Sequence, residues 1–220
     1  MLTARNHPMF SPESVYTAYR ECRRRKRGTV NAMRFEANLE ENVLQLSRDL
    51  RSGTYRPGRS VVFLLDKPKR REIFAADFRD RVVHHLLVRE LEPLWERRFI
   101  HDSYACRRGK GTHAGVKRMR QFTRKATANG TRQAFYLQLD IRGYFINIDR
   151  PILFDRLIQP VRDPSVMDLA AAIVFHEPTL DCVFRDCTRE DCMALPAHKT
   201  LFRARPLCGL PIGNLTSQFF

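Results

Sequence analysis

The chain has 220 residues, 43% of them apolar, and a formal net charge of +15. That length admits one large domain or two small subdomains sharing a core, and the apolar share excludes a disordered polyelectrolyte. So large a positive excess concentrates polyanions, which favours nucleic acid over other acidic partners.

No run approaches the roughly 18 consecutive apolar residues that a membrane span needs, and Met1 to Pro8 lacks the apolar centre of a signal peptide. The expectation is a cytoplasmic protein with no membrane partner, its six cysteines kept as thiols. In chain order, Tyr16 to Arg27 comes first and ends in the basic run Arg20 to Arg27, either an RNA-contacting face or a solvated helix surface. Leu39, Val43, Leu46 and Leu50 fall on one helical face, and Gly53 suits the C-cap. Ser60 to Leu65, rich in Val and Phe, predicts a strand. Arg79 to Phe99 is the longest helical pattern, with Pro93 predicting a kink or break.

After Gly109-Lys-Gly111 a short helix is expected to about Phe122, then a polar loop from Lys125 to Arg132. Ala134 to Leu139 predicts a buried strand ending on Asp140. An acid there either caps the following turn or is paired, protonated or bound to a cation. Asp149 before Pro151, and Asp163 before Pro164, each place an N-cap oxygen ahead of a helix. Phe175 to Pro206 looks irregular, and a helix begins from Asn214. Cys182, Cys187, Cys192 and His198, with His176 nearby, raise the question of zinc, but four residues in each cysteine gap leave no compact pair. Free thiols are the better reading.

Four blocks in order resemble reverse transcriptases. They are Asp66-Lys-Pro-Lys-Arg-Arg-Glu-Ile-Phe74 with Asp77-Phe-Arg-Asp-Arg81, then His101 to His113, then Tyr136 to Asp149, and finally Cys208-Gly-Leu-Pro-Ile-Gly-Asn-Leu-Thr-Ser-Gln-Phe-Phe220. The last block, with Ile212 and Gln218 where group II intron and retron enzymes carry Gln and Pro, is similar to the version in diversity-generating retroelements. Leu195-Pro-Ala-His-Lys-Thr-Leu-Phe202 also looks like that group.

The resemblance implies an α+β fold of right-hand polymerase architecture. Residues 1–133 would form the fingers with a basic helical region. Residues 134–220 would form a partial palm, a ferredoxin-like sheet with packed helices and an insertion at about 175–206. The thumb and the Tyr-x-Asp-Asp hairpin would lie downstream of Phe220, leaving this portion without polymerase activity of its own.

The implied activity is RNA-directed DNA synthesis with two Mg²⁺ ions, hard cations that prefer oxygen ligands. Asp140 would be the catalytic metal ligand, with the Ile141 carbonyl beside it. Asp149 is more readily an N-cap than a ligand. Arg71, then Lys67, would hold the triphosphate, and Phe145 would be the steric gate against a ribose hydroxyl or, failing that, a core aromatic. Ile212 and Gly213 would lie beside the nucleotide. Arg107, Arg108 and Lys110, around glycines that admit phosphate, would meet the template backbone, as would Ser217 and Gln218. Implied partners are an RNA template, a DNA primer or cDNA, deoxynucleoside triphosphates and a small basic accessory protein. The alternatives are a group II intron-like or retron enzyme, and a non-catalytic RNA-binding relative.

Overall fold

A computed structural model of the chain describes residues 6–24 and 28–220. The end of the basic run, Lys26 and its neighbours, and the first five residues lie outside the described residues. The fold is mixed α+β. Helix α1 (Pro12–Arg23) is followed by α2 (Val30–Ala37) and α3 (Leu39–Ser52). Helix α3 buries Val43, Leu46 and Leu50, and it ends at Gly53 in the left-handed conformation (φ 72°), as the spacing and the glycine predict. Strands β1 (Val61–Leu65) and β2 (Arg71–Ala75) form an antiparallel hairpin, with Val62 opposite Phe74.

Helix α4 (Phe78–Glu96) continues through Pro93, and α5 (Thr112–Ala126) runs past the expected end at Phe122. Then come α6 (Tyr144–Asn147), α7 (Arg150–Ile158) and α8 (Pro164–Val174). Asp149 caps α7 by accepting from the Ile152 N–H at 3.0 Å, and Asp163 caps α8 by accepting from the Ser165 N–H at 2.8 Å. Strand β3 (Val183–Phe184), α9 (Arg189–Met193) and α10 (Leu215–Phe219) complete the order. The stretch expected to be irregular therefore carries elements of its own. Strand β3 pairs parallel with β1, giving the sheet order β2-β1-β3.

The chain divides into two compact units, 1–92 with 143–220, and 93–142. The first holds a core in which Val62, Phe74, Ile146, Cys192 and Leu201 pack together. The second contains no buried residue. Here the buried strand expected at Ala134 to Leu139 is not formed. Phe135, Leu137 and Leu139 are 94%, 77% and 82% exposed, and the segment has no ladder partner among the described residues. An apolar run becomes a strand only when a neighbour satisfies its backbone groups, and the 93–142 unit contains no strand to do so. No helix among the described residues is long and apolar enough to cross a membrane.

Candidate functional site

The site is organised by the free edge of β2. One edge pairs with β1, and on the other the Phe74 N–H donates to the Ile212 carbonyl at 2.8 Å. Two residues on, the Ala76 N–H donates to Asn214 Oδ1 at 3.2 Å. Gly213 makes this approach possible. Its φ is +122°, and a Cβ there would stand 2.7 Å from Ile73 Cγ2 and 3.1 Å from the Phe74 carbonyl oxygen. Gly213 thus serves as a close-packing position against β2, and Ile212 is fixed by its own backbone.

The same segment is tied on its other side to the turn that carries Phe145. The Leu210 N–H donates to the Phe145 carbonyl, and the Gly209 N–H to the Ile148 carbonyl, both at 2.8 Å. Gly143, in the left-handed conformation, starts α6, which presents Tyr144 and Phe145 with their rings edge-to-face at 5.3 Å. A cleft of about 290 Å³ results, lined by Arg70, Arg71, Tyr144, Phe145, His198, Lys199 and Ile212 among others. Three sequence-predicted residues, Arg71, Phe145 and Ile212, therefore meet in one cleft.

The cleft is basic on two sides. Arg70 makes an exposed pair with Asp66 at 3.4 Å. Arg71 and Lys199 have no ion-pair partner among the described residues. Lys67 is exposed on the β1–β2 turn and is not among the lining residues. Lys199 was not singled out as a site residue, although the motif containing it was, and His198 was weighed only as a zinc ligand. Two adjacent polar residues, one of them a lysine, within a short apolar motif were the available signal.

A buried carboxylate holds this second wall. Glu72 is 2% exposed, and its Oε2 accepts from Thr200 Oγ1 at 2.8 Å while its Oε1 accepts from the Leu201 N–H. Burial pushes its carboxyl above the ordinary range, against the lowering effect of these two donors. Cys182, Cys187 and Cys192 pack in the same core as thiols. The Cys192 thiol is pushed up to about 12, first by burial and then by the charge of Glu72.

The remaining residues lie elsewhere. Asp140 and Ile141 sit in the exposed stretch between α5 and α6. Among the described residues no three His, Cys, Asp or Glu side chains converge to hold a metal ion. Asp140 alone offers one carboxylate, which falls short of a magnesium site. Arg107 is engaged inside its own unit: it grips Glu96 at 2.9 and 2.5 Å and donates to the Ile100 and Ser103 carbonyls at 2.8 and 3.0 Å. Lys110 donates to the His101 carbonyl, and Arg108 is exposed. Gln218 is exposed, whereas Ser217 is buried beside a small cavity that His84, His176 and Asp80 also line. In the basic N-terminal helix, Arg23 pairs with Glu36, and Arg20 is exposed.

No protein-family model matches the chain. It is similar to "Protein YkfC" of Escherichia coli (strain K12), at 27% identity over 143 residues, covering 64% of this chain and 37% of YkfC. It is also similar to "Nuclear intron maturase 1, mitochondrial" of Arabidopsis thaliana, at 28% over 108 residues, covering 48% of this chain and 14% of that protein. "Nuclear intron maturase 2, mitochondrial" of the same plant matches at 26% over 145 residues, 59% of this chain and 19% of that protein. The chain is distantly similar to intron maturases. At that coarse level the matches support relatedness to reverse-transcriptase-like proteins. It spans less than two-fifths of each of these relatives.

Proposed function

We propose that the chain is the fingers and first palm portion of an RNA-directed DNA polymerase of right-hand architecture, in a diversity-generating retroelement. The observation that carries this reading is the cleft in which Arg71, Phe145 and Ile212 come together from segments far apart in sequence. A triphosphate needs cations that are not already neutralised, and Arg71 can grip two phosphate oxygens at once. Phe145 supplies a flat edge against which a ribose 2′-hydroxyl would collide. Ile212 gives the nucleotide shape and no hydrogen bond, so selection rests on base-pair geometry.

In this reading Asp140 contributes one carboxylate to Mg²⁺ and Ile141 a carbonyl, and a complete metal site requires further carboxylates. Arg108 and Lys110 serve the template backbone, with Lys67 and Gln218 as supporting contacts. The net charge of +15 supports the RNA partner. The similarity to intron maturases favours a second reading, a group II intron-like enzyme. Ile212 and Gln218, which depart from that group's residues, weigh against it.

Primer extension on an RNA template tests the proposal. The full-length protein is expected to incorporate deoxynucleotides, and Phe145→Ala to raise ribonucleotide use relative to deoxynucleotide at least tenfold, equivalent to about 1.4 kcal/mol. A competent enzyme with an unchanged ratio returns Phe145 to a packing role.

A further inference from the structure

The segment after β3 builds a wall of the cleft that no feature of the proposed polymerase accounts for. It contributes His198 and Lys199 to the lining, and both are partly exposed there. Two separate contacts fix its position. The first is Glu72, whose buried carboxylate accepts from Thr200 and Leu201. The second is Gly143, where an added Cβ would lie 2.9 Å from His198 Cβ and 3.1 Å from the His198 carbonyl oxygen. The turn bearing Phe145 therefore rests directly on the backbone of His198.

The chain order around Glu72 gives this wall a meaning. Successive residues of a strand face opposite ways, so the strand that turns Glu72 inward turns Arg71 outward. On the other side of the link, Thr200 is fully buried and its neighbour Lys199 reaches the cleft. One buried carboxylate thus sets two cations, Arg71 and Lys199, on the walls of a single cleft. Neither has a carboxylate partner among the described residues. Like charges gathered this way repel unless an anion enters between them, and burying the carboxylate that seats them is itself unfavourable. An arrangement with both features suits a polyphosphate better than a passive surface.

We propose that Lys199 is a phosphate ligand for the incoming nucleoside triphosphate, acting with Arg71 in the same cleft, with Glu72 as the residue that positions both. This rests on the polymerase reading above and adds a residue to its nucleotide site.

The test compares Lys199→Gln and Lys199→Arg with the unaltered full-length protein. Four quantities are measured: the deoxynucleotide KM and kcat in primer extension, binding of inorganic tripolyphosphate, and RNA affinity. Losing one charge-assisted phosphate contact is expected to raise the nucleotide KM roughly tenfold and weaken tripolyphosphate binding by a similar factor. The change in kcat and RNA affinity is expected to stay within about twofold, with Lys199→Arg restoring most of the loss. A folded Lys199→Gln protein with unchanged KM and tripolyphosphate binding overturns the assignment and leaves the polymerase reading standing. Weakened RNA binding with unchanged KM also overturns it, because the lysine then faces the nucleic-acid backbone. If the unaltered protein never extends a primer yet binds tripolyphosphate through Lys199, the phosphate ligand survives and the polymerase reading falls. An unaltered protein that binds no tripolyphosphate overturns the inference.

Discussion

The two compact units treat the same kind of residue in opposite ways. In the 1–92 and 143–220 unit, Val62, Phe74, Phe78 and Leu87 are at most 1% exposed. In the 93–142 unit, Val116, Met119 and Phe122 show a helical stripe to solvent at 45–47% exposure, and Phe135 is 94% exposed. The second unit relies on polar contacts instead. Arg107 grips Glu96, and Asp102 receives both Arg118 at 2.9 Å and the Tyr104 hydroxyl at 2.8 Å. The hydrogen bond from Arg118, followed by that from Tyr104, holds the Asp102 carboxyl well below the usual carboxylate range. Apolar character marks which residues can be buried, and burial itself waits on a partner surface.

The sharpest way to break this comparison is a pair of truncations. Phe74→Ala is expected to destabilise the first unit by about 3–5 kcal/mol, through lost transfer energy and the cavity left behind. Phe135→Ala is expected to change stability by less than about 0.5 kcal/mol, as exposed positions do. Urea titration followed by far-UV circular dichroism gives both values. Similar costs would mean that the 134–139 segment is buried in solution.

A smaller effect is expected at Glu72. Glu72→Ala leaves the Leu201 N–H and the Thr200 hydroxyl without their acceptor and should cost about 1–3 kcal/mol. Glu72→Gln keeps an oxygen acceptor and a polar partner for Thr200 and should recover most of that loss. Because burial raises the Glu72 carboxyl pKa in the folded state, its contribution is full below the ordinary carboxylate range. It is lost as pH rises through the raised value. Glu72→Gln should therefore remove that decline, measurable as the difference between the two proteins' stability curves.

An effect read as a slope with pH sharpens the contrast from inside the packed unit. His84 is buried, and that burial, followed by the charges of His85, Arg81 and His176, pushes its pKa down to about 3. The unfolded chain then binds the extra proton first. Stability present above about 6.5 is lost as pH falls towards about 3. His84→Gln should flatten this dependence by up to about 1.4 kcal/mol per pH unit relative to the unaltered protein. Parallel curves for the two proteins would place His84 in contact with solvent. The 93–142 unit contains no buried histidine that could produce the same signature.

Local chemistry was legible in the sequence. Gly53 as a helix terminator, Asp149 and Asp163 as caps, and the apolar face of α3 each depend on residues within a few positions of one another. The β1 strand was legible too, because β-branched residues bounded by turn signals had a hairpin partner close by in β2. Grouping Arg71, Phe145 and Ile212 came from the order of motifs, and the cleft brings those three together.

What the tertiary structure alone decided was pairing across distance. Glu72 and Thr200 are 128 residues apart, and no periodicity in either segment announces that one will hold the other. The same holds for Lys199, a surface lysine by composition that the Glu72 link brings to the cleft. It holds in reverse for Ala134 to Leu139, whose apolar pattern was right for a strand but whose backbone found no neighbour among the described residues. Helix caps and turns are satisfied by atoms a few bonds along the chain. Sheet edges and buried carboxylates are satisfied only by what folding brings beside them.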